Sequence, residues 1–231
     1  MGQKVHPIGF RCAITEPWRS RWYASKKDFP KFVVQDQKIR SHIRKHWASA
    51  AIPRVEIERA GDVVTVFVHT ARPGVLIGKK GAKVDKFREE LEKLTGCAVR
   101  MKIIEVNRPE MESKLVGEAI AEMLQKRMNY RRVLKKAVDQ ALAAGAQGVK
   151  IVVSGRLGGA EMARVGKISK GRVPCTTLRA KLDYGTVVAR TKAGVIGIKV
   201  WIFKGEYGPG ETTNGLLPVE RTTSDRNDRG N

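Results

Sequence analysis

Gly78-Lys79-Lys80-Gly81 is the tetrapeptide of this chain best built to hold a phosphate. A glycine at each end lets the backbone turn sharply and bring its amides close to a ligand. The helix predicted to open at residue 82 contributes the partial positive charge of its first N–H groups. Lys79, Lys80 and Lys83 add full charges. A loop of this kind clamps a sugar–phosphate backbone; it carries no group for bond breaking.

Two further constellations point the same way. Arg131, Arg132, Lys135 and Lys136 stand at i, i+1, i+4 and i+5. On a helix they share one flank, where four cations repel one another unless a polyanion lies along them. Residues 155–172 hold five glycines, the cations Arg156, Arg164, Lys167, Lys170 and Arg172, and one acid, Glu161. This stretch is predicted to be a phosphate-contacting loop, because long loops inside compact domains are usually functional. Arg179 extends the series, and Lys4 and Arg11 bring charge to an N-terminal arm.

Catalytic alternatives lack their residues. There is no GxxxxGK[ST] for a nucleotide-driven motor and no GxGxxG for a dinucleotide. His42 and His46 are four apart, as zinc ligands can be, but Arg44 and Lys45 lie between them and the glutamate of HExxH is missing. No carboxylate cluster suits a two-metal nuclease. Cys12, Cys97 and Cys175 are widely separated and form no CxxC, so neither a disulfide framework nor a zinc knuckle is expected, and a reducing cytoplasm fits. No enzyme activity, cofactor or metal is expected.

Composition narrows the partner. The 231 residues hold 45 basic and 23 acidic side chains, a net charge of +22. Residues 1–60 carry net +8, 61–105 net +3, 106–205 net +13 and 206–231 net −2. So large an excess repels itself and calls for a polyanion. An anionic membrane would want a basic amphipathic helix with aromatic residues opposite. Here the charge is spread over strands, loops and helices alike, which favours nucleic acid. Aromatic residues are 6% of the chain, so phosphate contacts should outweigh base stacking. Hydrophobic residues at 42% suffice for real cores, and no run of them is long enough to span a bilayer. The first residues form no signal peptide, and His6 stands where a myristoylation motif needs Ser or Thr.

The elements that must position these groups follow from periodicity. Residues 1–27 read as a basic arm without sustained period. A helix is predicted over 28–50 on Ile39, Ile43 and Trp47. Two alternating strands follow, with Val55 and Ile57 and then Val64, Val66 and Val68 pointing inward around a Gly61-Asp62 turn. A short helix ends near Ile77. A second helix runs over 82–95 on Val84, Phe87, Leu91 and Leu94, and a strand alternates Val99, Met101 and Ile103. The order αββααβ over 28–106, with a GxxG loop between its last two helices, resembles a type II KH domain.

Residues 106–112 read as a linker, and a second unit spans 113–205. Its helices are predicted over 113–128, on Leu115, Val116, Ala119, Ile120, Met123 and Leu124, and over 131–144, on Val133, Leu134, Ala137, Val138, Ala141 and Leu142. Strands are predicted over 149–154, 176–183 and 195–203. Two helices on one face of a small sheet is the natural packing. The fold class is therefore α+β with two domains, a basic arm in front and a disordered tail over 206–231.

Five separated motifs carry a closer likeness: GQKVHPIGFR at 2–11, VLIGKKGAKV at 75–84, GRLGGAEMAR at 155–164, GRVP, TLRA and LDYG between 171 and 185, and GVIGIKVWIFKGE at 194–206. Together, over about residues 1–207, the chain resembles the family of bacterial small ribosomal subunit protein 3. It departs from the family pattern at Cys175-Thr176, at Lys181 and in the lack of aromatics over 165–169. The resemblance implies a structural protein of the small-subunit head. It implies binding to small-subunit (16S) rRNA and contact with ribosomal proteins ten and fourteen. It also implies a place at the mRNA entry channel beside proteins four and five, with Arg131, Arg132 and Lys135 in the positions linked to unwinding mRNA. The alternative is a free KH-type factor in RNA processing or regulation.

Overall fold

The computed structural model describes residues 3–78 and 82–208. The chain enters through a short helix, α1 (Pro7–Arg11), and a two-residue strand, β1 (Ser20–Arg21). The first unit follows as α2 (Phe29–His46), β2 (Val55–Ala60), β3 (Val63–Thr70), α3 (Pro73–Ile77), α4 (Ala82–Thr95) and β4 (Ala98–Glu105). This is the αββααβ order that the periodicity predicts. β2 and β3 run antiparallel around Gly61, β4 joins β3 in parallel, and β1 adds a parallel strand to the outer edge of β2. The inward residues of β2 and β3 meet α2 and α4 in a core of Ile39, Ile43, Ile57, Val64, Val66, Val68, Leu76 and Leu91.

Two helix expectations are corrected. The helix predicted to reach residue 50 stops at His46, and a single 3-10 turn, Ala48–Ala50, leads to Ala51 in the left-handed region at φ 52°. On α4 the stripe holds at Phe87 and Leu91 but fails at Leu94, which is exposed. Thr95 is buried instead, because its hydroxyl donates back to the Leu91 carbonyl at 2.8 Å.

The second unit comprises α5 (Ser113–Gln125), α6 (Tyr130–Ala143), β5 (Gly148–Gly155), β6 (Arg164–Gly171), β7 (Ala180–Thr191) and β8 (Gly194–Glu206). The sheet order is β6-β5-β8-β7, antiparallel throughout. Alternate residues Val149, Ile151, Val153, Ile198, Val200 and Ile202 are buried beneath the two helices. On α5 the stripe is shifted at one position: Ala121 is buried, whereas the predicted Ala119 is exposed. The 106–112 segment holds a 3-10 turn, Pro109–Met111, and hands the chain to α5 through polar ties. The Ser113 N–H donates to Asp183 at 2.7 Å, Lys204 pairs with Glu112 at 2.6 Å, and Lys114 donates to the Ile52 carbonyl at 3.0 Å.

The eighteen-residue loop predicted over 155–172 is not a loop throughout. After a 3-10 turn at Leu157–Gly159 the chain forms β6, paired along its length with β5. Its glycines were legible as loop residues but serve close packing. A Cβ on Gly166 would stand 3.2 Å from the Tyr130 ring. The strand predicted over 176–183 is shifted in turn. β7 begins at Ala180, and residues 172–179 wrap around a buried arginine.

That arginine is Arg11, and its place overturns its expected role in binding RNA. It is fully buried. Nε donates to the Ala180 carbonyl at 2.9 Å and Nη1 to Pro7 at 3.0 Å. Nη2 divides its two hydrogens among the carbonyls of Pro174, Cys175 and Thr177 at 3.2, 3.2 and 2.8 Å. Burial lowers its pKa while Glu16 opposes the shift, and a guanidinium stays charged regardless. The rest of the arm is also ordered by buried charge. Asp36 accepts from Ser20 at 2.8 Å, Trp22 at 2.9 Å and Arg59 at 2.6 Å, which fastens the β1 segment onto α2. The tail expected to be disordered lies, from residue 209 onward, outside the described residues.

Replacing Arg11 by Ala takes a donor from four distant carbonyls, of which Thr177 keeps a long bond from the Ala180 N–H at 3.3 Å. Each unsatisfied buried group costs about 1–3 kcal/mol, less whatever water recovers. The expected loss is about 2–4 kcal/mol in denaturant unfolding of the full chain, with hydrogen exchange accelerating at residues 172–180. Arg11→Lys recovers only part of it, since an ammonium lacks the planar fork. A variant as stable as the parent would refute the assignment.

Candidate nucleic-acid interface

Gly78 sits where the first constellation requires a glycine. It ends α3 at φ 66° and ψ −169°, a conformation that only glycine adopts without strain. Its N–H closes the last turn by donating to Gly74 at 3.1 Å. A Cβ there would lie 2.8 Å from the Lys83 side chain, so the bare backbone lets the lysine stem cross it. Lys83 is exposed on the first turn of α4. Lys79, Lys80 and Gly81 lie outside the described residues.

The second constellation is displayed as predicted. Val133, Leu134, Ala137 and Val138 turn α6 into the core, and Arg131, Arg132, Lys135 and Lys136 are left exposed between them. Asn129 caps the helix by accepting the Arg131 N–H at 3.0 Å. The Arg131 side chain is steered by Tyr130, its Nε donating to the phenol oxygen at 3.1 Å. Among the described residues, none of the four cations has a carboxylate partner. Beside them Met123, Met128 and Val133 line a shallow, mainly apolar hollow rimmed by Arg132, Lys135 and Lys136 and by Asp139, whose charge is met by Lys170. A base can rest on the thioethers there while its phosphates meet the rim.

The third constellation divides. Lys170 pairs with Asp139 of α6 at 2.6 Å and Ile168 packs into the core, so the even-numbered side of β6, with Arg164 at its start, runs beside the α6 cations. Lys167, one residue out of phase, lies on the opposite face of the sheet. Arg156 ties two turns together, donating to the carbonyls of Ala160 and Ala193, both at 2.9 Å. Arg172 and Arg179 converge on Glu206 at 3.6 and 2.9 Å. Lys4 is exposed ahead of α1.

Sequence reasoning missed Arg127. It holds the turn between α5 and α6 at φ 59°, exposed and four residues before Arg131 in the sequence. The signal was present in the Lys126-Arg127 pair, but Lys126 is neutralised by Glu122 at 2.6 Å and Arg127 is not. Of His42 and His46, the zinc alternative, His42 packs: it stacks on Phe87 and meets Glu90 at 3.0 Å, while the His46 ring, exposed, lies 4.2 Å from it. Among the described residues there is no cluster of three metal-ligating side chains, and no helix is long and apolar enough to cross a membrane.

An αββααβ unit broken by glycine at the α3–α4 junction, joined to a cation-rich antiparallel domain, defines an RNA-binding protein of the KH class. The KH domain family matches residues 38–111, and the family described as ribosomal protein S3, C-terminal domain, matches residues 120–202. Whole-length relatives agree. The small ribosomal subunit protein uS3 of Rhodopirellula baltica is 51% identical over 90% of each chain. That of Shewanella loihica is 50% identical over 95% of this chain and 93% of its own, and that of Coprothermobacter proteolyticus 48% over 94% and 93%. The chain belongs to the small ribosomal subunit protein uS3 family, whose members are named as ribosomal proteins and not as enzymes.

Gly78→Ala tests the loop. Forcing a side chain into that conformation costs about 1–3 kcal/mol and displaces Lys83. Unfolding should register the loss, and RNA affinity measured well below the melting temperature should fall as well. Unchanged affinity would remove this glycine from the interface.

Proposed function

We propose that the chain is a structural constituent of the small ribosomal subunit, binding its rRNA through phosphate contacts. The proposal extends to proteins ten and fourteen as neighbours, and to single-stranded mRNA at the entry channel. The observation that carries it is the α6 flank, where four exposed cations have no carboxylate partner among the described residues and stand beside a hollow that suits a base.

The chemistry on that flank is electrostatic. A hairpin in mRNA opens transiently, and cations that hold the released strand by its phosphates slow its re-pairing. Work comes from translocation, since no nucleotide-binding motif exists in the sequence. The Gly78 clamp, Lys83, Arg164 and Lys170 supply backbone contacts of the same kind elsewhere on the surface.

Replacing Arg131, Arg132 and Lys135 by Ala should slow ribosomes on structured messages and spare unstructured ones. Subunit assembly, followed by sedimentation, should be largely intact, because the residues are exposed and take no part in the core. Equal slowing on both kinds of message would contradict the strand-holding role. Departure of the parent protein from small subunits in a high-salt wash would instead favour a free RNA-binding factor.

A further inference from the structure

The sheet of the second unit has an outer face, turned away from α5 and α6, to which the constellations above contribute only Lys167. We propose that this face is a second platform for an RNA backbone, held by Lys150, Lys167 and Lys199; the proposal rests on the reading of the chain as an RNA binder.

Strand register builds the platform. Val152 of β5 stands opposite Lys167 of β6 on one side and Lys199 of β8 on the other. Strands lie about 4.8 Å apart, so the two lysines are rooted about 10 Å from each other across β5. Lys150 is two residues along the same strand, on the same face, and its ammonium is held 4.9 Å above the Trp201 ring. Ser169 stands opposite Lys150, and Thr186 opposite Lys199, so hydroxyls alternate with the cations.

The charge on this face is of one sign. Among the described residues its outward positions carry no acid. Asp183 is turned to the helix side, where it accepts the Ser113 N–H, and Glu206 is held at the end of β8 by Arg172 and Arg179. Lys167 and Lys199 are exposed and take part in no ion pair among the described residues. A sheet face that met only water would gain from opposite charges across neighbouring strands. Here like charges are set across three strands, with nothing of the other sign between them.

Phosphate explains this better than a protein surface does. Lysines act as point charges toward phosphates, and hydroxyls add contacts to phosphate or the 2′-OH. A protein interface of any strength wants a large aromatic or arginine anchor in a desolvated pocket. The apolar residues most open on this face are Val165, Val188 and Val195, all small; its aromatics Tyr184 and Trp201 are packed against each other, and of the three valines only Val188 borders a cleft. The platform also joins the interface already described. β6 is the edge strand, with Lys167 outward and Arg164 and Lys170 inward beside α6, so one RNA chain can pass from one face to the other around a single strand.

The test uses the full chain with a small-subunit rRNA transcript. The double variant Lys167→Ala/Lys199→Ala should melt like the parent. Its plot of log affinity against log salt should be flatter by about 1.4–1.8, the loss of two phosphate contacts. The drop in affinity between about 50 and about 200 mM salt then shrinks by roughly tenfold. Lys167→Arg/Lys199→Arg should keep the parental slope. Acylation of Lys150, Lys167 and Lys199 should be suppressed by the transcript alone. A parental slope in the alanine variant, with the parent itself binding steeply, would overturn the platform and leave the RNA reading standing. Suppression of acylation only after small-subunit proteins are added would overturn it in favour of a protein contact. A shallow slope in the parent would bring down both.

Discussion

The buried guanidinium of Arg11 is the interaction on which the arrangement of the molecule depends. An arginine out of contact with water is costly unless its donors are met. Here every acceptor is a backbone carbonyl, one from its own helix and four from residues 174–180. No carboxylate is hydrogen-bonded to it; oriented carbonyl dipoles meet its donors, and the charge of Glu16 adds support from nearby. The same contacts replace a sheet ladder for residues 172–179, which explains why β7 starts where it does. Because α1 packs on β7 while β1 pairs with β2, the first residues of the chain touch both units before either has been traversed.

Asp36 is the counterpart at the other end of the arm. It is as inaccessible as Arg11 but of opposite sign, and it gathers Ser20, Trp22 and Arg59 around one carboxylate. Burying a charge with such partners orders a segment more specifically than an apolar contact would, since removing one partner strands the others. The two sites hold the arm at both ends. With the ties of Lys114 to Ile52 and Lys204 to Glu112 they fix how the first unit, with Gly78, stands to α6 and the second sheet. Phosphate-binding groups on two units can then meet one RNA at fixed spacing, without the entropy of ordering two loosely linked domains.

Periodicity made the elements legible wherever one face of a helix or strand was buried. Ile39 and Ile43, Val64 to Val68, and the Val133 to Ala141 stripe all lie where spacing put them. It failed where side-chain hydrogen bonds or close packing replaced the pattern. Thr95 took the place of Leu94 through a bond to its own helix. β6 was hidden because Gly166 and Gly171 resemble loop residues; the Tyr130 ring beside Gly166, and the positive φ of Gly171 with the Gln147 carbonyl against it, show why a bare backbone is needed. Arg11 looks like an RNA contact in the sequence because charge in an aperiodic arm resembles a free tail. Its acceptors are carbonyls, which exist at every residue and leave no trace in composition. The α6 cations were legible because their helix was; Lys150 and Lys199 were not, since they lie in different strands and become part of a group only through register.

The distribution of ion pairs explains which cations remain for a partner. Carboxylates in the described chain are placed where they do structural work: Glu56 gathers Arg21, Arg54 and His69 at the edge of the first sheet, and Glu206 holds Arg172 and Arg179 at the end of the second. Burial pushes the Glu56 carboxyl upward, but His69, Arg54 and Arg21 outweigh it and the net shift is down, so that group stays ionised. The α6 flank holds one acid, Asp139, which Lys170 occupies, and the outward positions of the second sheet hold none among the described residues. A protein selected only for stability would gain by scattering some of those acids over its cationic faces. Leaving those faces bare costs self-repulsion in the free chain, and that repulsion is relieved only when a polyanion binds. The strength of association and its sensitivity to salt therefore have one origin, the same unpaired cations.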